Sequence, residues 1–259
     1  MASRQPSLLA RALEPFASGL WTLFILWTAL VAVVWIADFG EANLYEYIAN
    51  PGLRSALEFF LDSLDVAWVT LAAANCYLAL TEVEGLAVAR RWALLVIVGV
   101  WTVAALSRLF EIPLGPIHYT ARLGTRIGPV PFGLPLLWFA FIVGARSLVI
   151  RCAPRASHAR AACGAGVLAT LAGAILEPLA WIERAFWFWH PSHMDIEAIV
   201  PPPVQNYATW LAISWGFAFA MRETRIADAS AGSFPRPALV FLILNAVFLA
   251  THVARFIQH

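Results

Sequence analysis

The chain alternates between long apolar runs and short polar joints. A membrane-crossing helix needs about 20 consecutive, mostly apolar residues. Seven stretches meet or approach that length: roughly 16–37, 56–80, 92–109, 131–150, 163–182, 207–221 and 238–255, the sixth being the shortest. The joints leave no room for a soluble domain, and no tandem repeat is evident. The pattern predicts an all-α, polytopic integral membrane bundle of about seven transmembrane helices, a single domain over residues 1–259.

Two of the joints carry more than a connection needs. Residues 111–138 open on Glu111, hold His118-Tyr119-Thr120, Arg122 and Arg126 in the middle, and are punctuated by glycine and proline. Those two residue types shape the backbone, so this joint is expected to hold a defined conformation. The second begins where Glu177-Pro178 ends the apolar part of the fifth span. The residue before a proline is pushed away from helical geometry, which predicts a kink or a helix restart there. Trp181, Trp187, Trp189 and His190 follow, and Pro201-Pro202-Pro203-Val204-Gln205-Asn206 leads into the sixth span. Within the fifth span, Gly166, Thr170 and Ala174 repeat at helical spacing, the mark of close helix packing.

Composition agrees with the membrane reading. The chain is 61% hydrophobic and only 13% charged, with mean hydropathy +0.74, where soluble domains carry about 25% charged residues. All 17 basic residues are arginine, and the net charge of +1 gives no case for a nucleic-acid partner. Three cysteines form no CxxC and no even framework, which argues against a disulfide scaffold or a cysteine metal site. The apolar run after Arg4 and Arg11 exceeds the roughly 7–15 residues of a signal-peptide core. It is therefore expected to be an uncleaved first transmembrane helix.

Charge also predicts orientation. With seven spans, eleven arginines fall on the side of the N-terminus and six on the other, so the positive-inside rule places the N-terminus in the cytoplasm. Eleven of the sixteen acids show the opposite bias. Residues 111–138, the Trp-rich joint, and Asp62 with Asp65 share that outer end. These polar elements, distant in sequence, are thus expected to converge there.

Several residues have the chemistry for a site. A carboxyl group set against hydrocarbon is favoured in its neutral form, because burial penalises charge. Glu177 could then serve as a proton donor, or simply cap a kinked helix. Trp187 and Trp189 could form an interfacial aromatic belt, or a π-rich wall that tolerates a passing cation. Asn206 suits a helix N-cap as well as a water-positioning amide. Asp62-x-x-Asp65 puts two carboxylates on one helix face, half of what a magnesium–diphosphate site needs, but a second aspartate-rich motif is missing. His190-x-x-His193 with Asp195 is a weak metal pattern. Six histidines in all are too few for a membrane di-iron set, and no haem motif, P-loop or GxGxxG is present. No metal or cofactor is expected.

The motif-bearing residues resemble a known family: the carotenoid biosynthesis membrane proteins that include the carotenoid 1′,2′-hydratases of the bisanhydrobacterioruberin and γ-carotene type. Glu111, Gly115, Tyr119-Thr120, Leu123-Gly124, Val130-Pro131 and Pro135-Leu136-Leu137-Trp138 look like its first block. Glu177-Pro178, Trp187-Phe188-Trp189 and Pro203-Val204-Gln205-Asn206-Tyr207-Ala208-Thr209-Trp210 are similar to its second. The chain departs from the family pattern at Glu177, where aspartate is usual, at Gly173 in place of an aspartate, and at Thr209 in place of a glycine.

The resemblance implies hydration of the terminal 1,2 double bond of an acyclic (ψ) carotenoid end group. That reaction needs an acid, a cation-tolerant wall and a controlled water, and no redox cofactor. Glu177 is the first choice of acid, with Glu111 as partner acid or water holder. His118, Tyr119 and Asn206 would order the water, and Trp187, Trp189 and Trp210 would line the polyene slot. The implied partners are a carotenoid or other long isoprenoid, the lipid bilayer and other carotenoid-pathway membrane enzymes. The implied location is the cytoplasmic membrane of a prokaryote. The rivals are a non-catalytic carotenoid or isoprenoid binder, a small transporter, and a prenyl-transfer enzyme using Asp62 and Asp65.

Overall fold

A computed structural model describes residues 8–37, 48, 50–190, 201–221 and 234–258, with side chains from residue 14 onward. Among them are seven α-helices, as the apolar runs predict. They are α1 (Leu8–Ile36), α2 (Pro51–Glu84), α3 (Leu86–Phe110), α4 (Gly133–Cys152), α5 (His158–Pro178), α6 (Val204–Ala220) and α7 (Arg236–Gln258). All but α6 contain a segment long and apolar enough to cross a membrane. At 17 residues, α6 is the short one, in line with the short sixth run. The chain is an integral membrane protein.

Local chemistry sets the helix limits. Asn50 caps α2 by accepting from the backbone N–H groups of Gly52 and Leu53, with Pro51 in the first turn, where its missing N–H costs nothing. Ser157 caps α5 through the N–H of Arg160. Glu111 ends α3 in a left-handed conformation at φ 61°. The centre of the bundle is α4, apolar on nearly every face and packed against α2, α3, α5 and α7; a helix apolar all round is a buried one. The shorter α6 packs mainly on α5. A Cβ at Gly166 would sit 3.0 Å from the backbone nitrogen of Trp215, so the small residue sets how closely those two helices approach.

At Pro178 the expected kink takes a specific form. The α-helix runs to Pro178 and then widens into a π-turn, Leu179–Glu183. The N–H of Arg184 reaches back to the carbonyl of Leu179 at 2.8 Å. Proline supplies no N–H and crowds the preceding turn, and the wider turn accommodates it.

The joint between α3 and α4 is structured, as its glycines and prolines suggest. It holds β1 (Ile117–Tyr119) and a small hairpin of β2 (Arg126–Ile127) and β3 (Val130–Pro131). Gly115 has φ 116°, and a Cβ there would meet the Pro203 ring at 2.6 Å. Only glycine satisfies both demands. The Trp-rich joint contributes β4 (Trp187–Trp189), which pairs antiparallel with β1. That ribbon joins the two motif-bearing parts of the chain.

Candidate functional site

The ribbon register is Ile117 with Trp189, His118 with Phe188, and Tyr119 with Trp187. Side chains alternate across a strand, so Ile117, Tyr119, Trp187 and Trp189 all face inward and are buried. His118 and Phe188 face the other way. Further bonds lock the ribbon: the Thr120 hydroxyl donates to the carbonyl of Ala185 at 2.7 Å, and the N–H of His190 donates to the carbonyl of Pro116 at 2.9 Å.

The ribbon folds back over Glu177, which is 1% exposed. The indole N–H groups of Trp187 and Trp189 donate to its Oε1 at 2.8 and 2.7 Å. Its Oε2 accepts from Asn206 Nδ2 at 3.3 Å. Asn206 is held in that orientation because its own Oδ1 accepts from Trp210 Nε1 at 3.0 Å. Asn206 lies in the first turn of α6, and Pro203 rather than Asn206 occupies the N-cap position. The carboxyl group is therefore neither a bare acid in hydrocarbon nor a helix cap. It collects three donors from β4 and α6.

Beside it lies a void of about 10 Å³, close to the space one water occupies. Tyr119, Glu177, Trp187, Trp189, Asn206 and Trp210 line it, with Leu114, Ile117, Leu134 and Trp138. The Tyr119 hydroxyl is buried and has no hydrogen-bond partner among the described residues. An unpaired buried hydroxyl costs about 1–3 kcal/mol. Burial, with the Glu177 charge as a second cause, pushes the phenol well above its ordinary pKa, so Tyr119 keeps its proton.

Six of the eight residues singled out from the sequence thus meet at one point. The other two do not. Glu111 ends α3, and its carbonyl accepts from the Gln205 side chain at 3.2 Å. It is not among the lining residues. His118 lies on the outer face of the ribbon, its ring centroid 6.1 Å from that of His190. His193 and Asp195 lie outside the described residues.

A family model described as a carotenoid biosynthesis protein matches residues 64–258. The chain belongs to that family. Neither a curated protein nor a solved structure matches the chain significantly. The matched region of this carotenoid biosynthesis family member takes in the C-terminal part of α2 and all of α3 to α7, and with them every residue that lines the void.

Position 173, where the family pattern led us to expect an acid, lies one helical turn before Glu177. A Cβ there would contact the Trp210 ring at 3.3 Å, and Trp210 in turn stacks on Trp138. In this chain an indole ring fills the space beside the missing carboxylate.

A second cluster, which no motif announced, holds the site in place. Asp65, 3% exposed, accepts from Arg184 Nε and Nη2 at 3.1 and 2.6 Å and from Trp35 Nε1 at 2.9 Å. The Arg184 guanidinium also lies over the Trp35 ring. Arg255 on α7 pairs with Glu183 at 3.1 Å. The turn between Glu177 and the tryptophans is thereby tied to α1, α2 and α7. Asp65 is occupied by this work, while Asp62 is exposed on a lateral, mostly apolar groove of about 810 Å³.

Proposed function

We propose that this protein hydrates the terminal 1,2 double bond of an acyclic (ψ) carotenoid end group, with Glu177 as proton donor. The observation that carries the reading is the bonding of Glu177. It is the single carboxyl group among the described residues that line the void. Its Oε1 already accepts two short bonds, which uses both lone pairs of a carbonyl-type oxygen. A proton on the neutral acid therefore sits on Oε2, whose one contact among the described residues is long.

Transfer of that proton to the alkene leaves a tertiary cation. The carboxylate left behind is stabilised by donors already in position, and the flanking indole rings favour the cation. Water then attacks, and the product is a tertiary alcohol. No redox cofactor enters the balance. Trp187 and Trp189 serve in this scheme both as wall and as donors to the acid. The same reading sets the protein in a prokaryotic cytoplasmic membrane with its N-terminus in the cytoplasm.

A void that takes one water does not also take a gem-dimethyl alkene end. The reading therefore requires the aromatic wall to give when substrate arrives. That small volume also favours a second reading, a carotenoid binder without catalysis. Incubation of purified protein with an acyclic carotene separates them. A hydratase yields product heavier by one water, and a binder co-purifies pigment of unchanged mass.

A further inference from the structure

The proposed acid accounts for one proton transfer, and the captured water has a second proton to lose. Tyr119 is the other proton-bearing titratable group on the void. Among the described residues its hydroxyl is buried without a partner, while the indoles of Trp187, Trp189 and Trp210 and the Asn206 amide each have one. A neutral phenol can accept from a water with its oxygen and donate its own proton elsewhere. The void beside it has the volume of a single water. Glu111, the sequence candidate for a second acid, does not line it.

Resting on the hydration reading, we infer that the void is the site of the attacking water and that Tyr119 is the catalytic group that holds and deprotonates it. The balance is as follows. The proton on Glu177 Oε2 forms the new C–H bond with the alkene π pair. The water oxygen forms the C–O bond at the tertiary cation. A water proton passes to Tyr119 Oη as the phenolic proton moves to the Glu177 carboxylate. Both groups end as they began, and one water has been added across the double bond. One carboxyl group suffices, and Glu111 has no part in the proton transfers.

The test runs the reaction in deuterated water and follows two outcomes: alcohol formed, and deuterium gained at the alkene carbon of recovered substrate. Deuterium wash-in reports a cation that loses a proton back to Glu177 before water captures it. Tyr119→Phe removes no hydrogen bond among the described residues, so the variant should keep its fold. It should hydrate at least about 100-fold more slowly while still washing deuterium into recovered alkene. Glu177→Gln should do neither, and Glu111→Gln should hydrate near the wild-type rate. Wild-type hydration by Tyr119→Phe, or loss of both outcomes in that folded variant, overturns the assignment and leaves the hydration reading standing. So does a Glu111→Gln loss as deep as that of Glu177→Gln. A wild-type protein that neither hydrates nor exchanges overturns the hydration reading itself.

Discussion

Trp189 Nε1 lies 2.7 Å from Glu177 Oε1, although twelve residues and a π-turn separate them in the chain. A buried carboxyl group thus obtains its donors from the strand that immediately follows its own helix. Trp187 repeats the contact two residues earlier on the same strand face. The pairing makes substitution of Glu177 a different experiment from removing a stray intramembrane acid.

Glu177→Gln should abolish hydration, a loss of at least about 100-fold on the scale of general acid catalysis. It should also cost stability. Gln can still accept from both indoles through its oxygen, but its NH₂ then faces the Asn206 NH₂, which Trp210 holds in place. Glu177→Leu should cost more, because it strands three buried donors at about 1–3 kcal/mol each. Product analysis together with thermal unfolding in detergent distinguishes the two effects. A Leu variant as stable as wild type would mean the donors find other partners.

Asp65 and Asp62 should separate sharply. Breaking a buried ion pair from one side costs about 3–5 kcal/mol, reduced here because the Arg184 side chain is 16% exposed. Asp65→Asn should therefore lower the unfolding temperature markedly, while the exposed Asp62→Asn should stay within about 0.5 kcal/mol. Asp65→Asn with Arg184→Gln should recover part of the loss. A diphosphate-binding role predicts the reverse: equal, magnesium-linked effects on activity at both positions.

His118 should make stability depend on pH. Burial, followed by the Arg108 charge, holds its pKa below the ordinary histidine range, with the His190 charge adding a little and a hydrogen bond with the His190 backbone and the Glu111 charge opposing it. A folded pKa below the unfolded one means the unfolded chain takes up the proton first as pH falls. The contribution is whole above about pH 6.5 and shrinks as pH drops through that value. Unfolding temperatures should therefore decline from about pH 7.5 to about pH 5. His118→Gln should flatten that decline, and an unchanged slope would reject the assignment.

Membrane topology is testable directly. Reporter fusions after Arg155 and after Pro202 should report opposite sides of the membrane, with the Arg155 fusion cytoplasmic, from the eleven-to-six arginine bias. Signals from the same side would remove the case for that orientation.

The helices were legible from sequence because membrane burial has one dominant requirement. A backbone in hydrocarbon must satisfy its own hydrogen bonds, so long apolar runs leave little choice but helix. The short α6 and the structured joint between α3 and α4 were legible for similarly local reasons, run length in one case and glycine and proline content in the other. Pro178 announced a disturbance without its form, since a kink and a π-turn both answer a missing N–H. The site residues were legible as types: an acid, tryptophans and an asparagine in apolar surroundings.

Their arrangement was not legible, because it depends on contacts that leave no periodic trace. The β1–β4 register decides that Tyr119 faces Glu177 while His118, one residue away, faces outward. The left-handed end of α3 leaves Glu111 off the void. Asp65 and Arg184, 119 residues apart, meet only when α2 packs beside the turn after α5. Strand pairing and ion pairing act between segments whose separation the chain does not encode locally, so tertiary packing alone decided which polar side chains share the void.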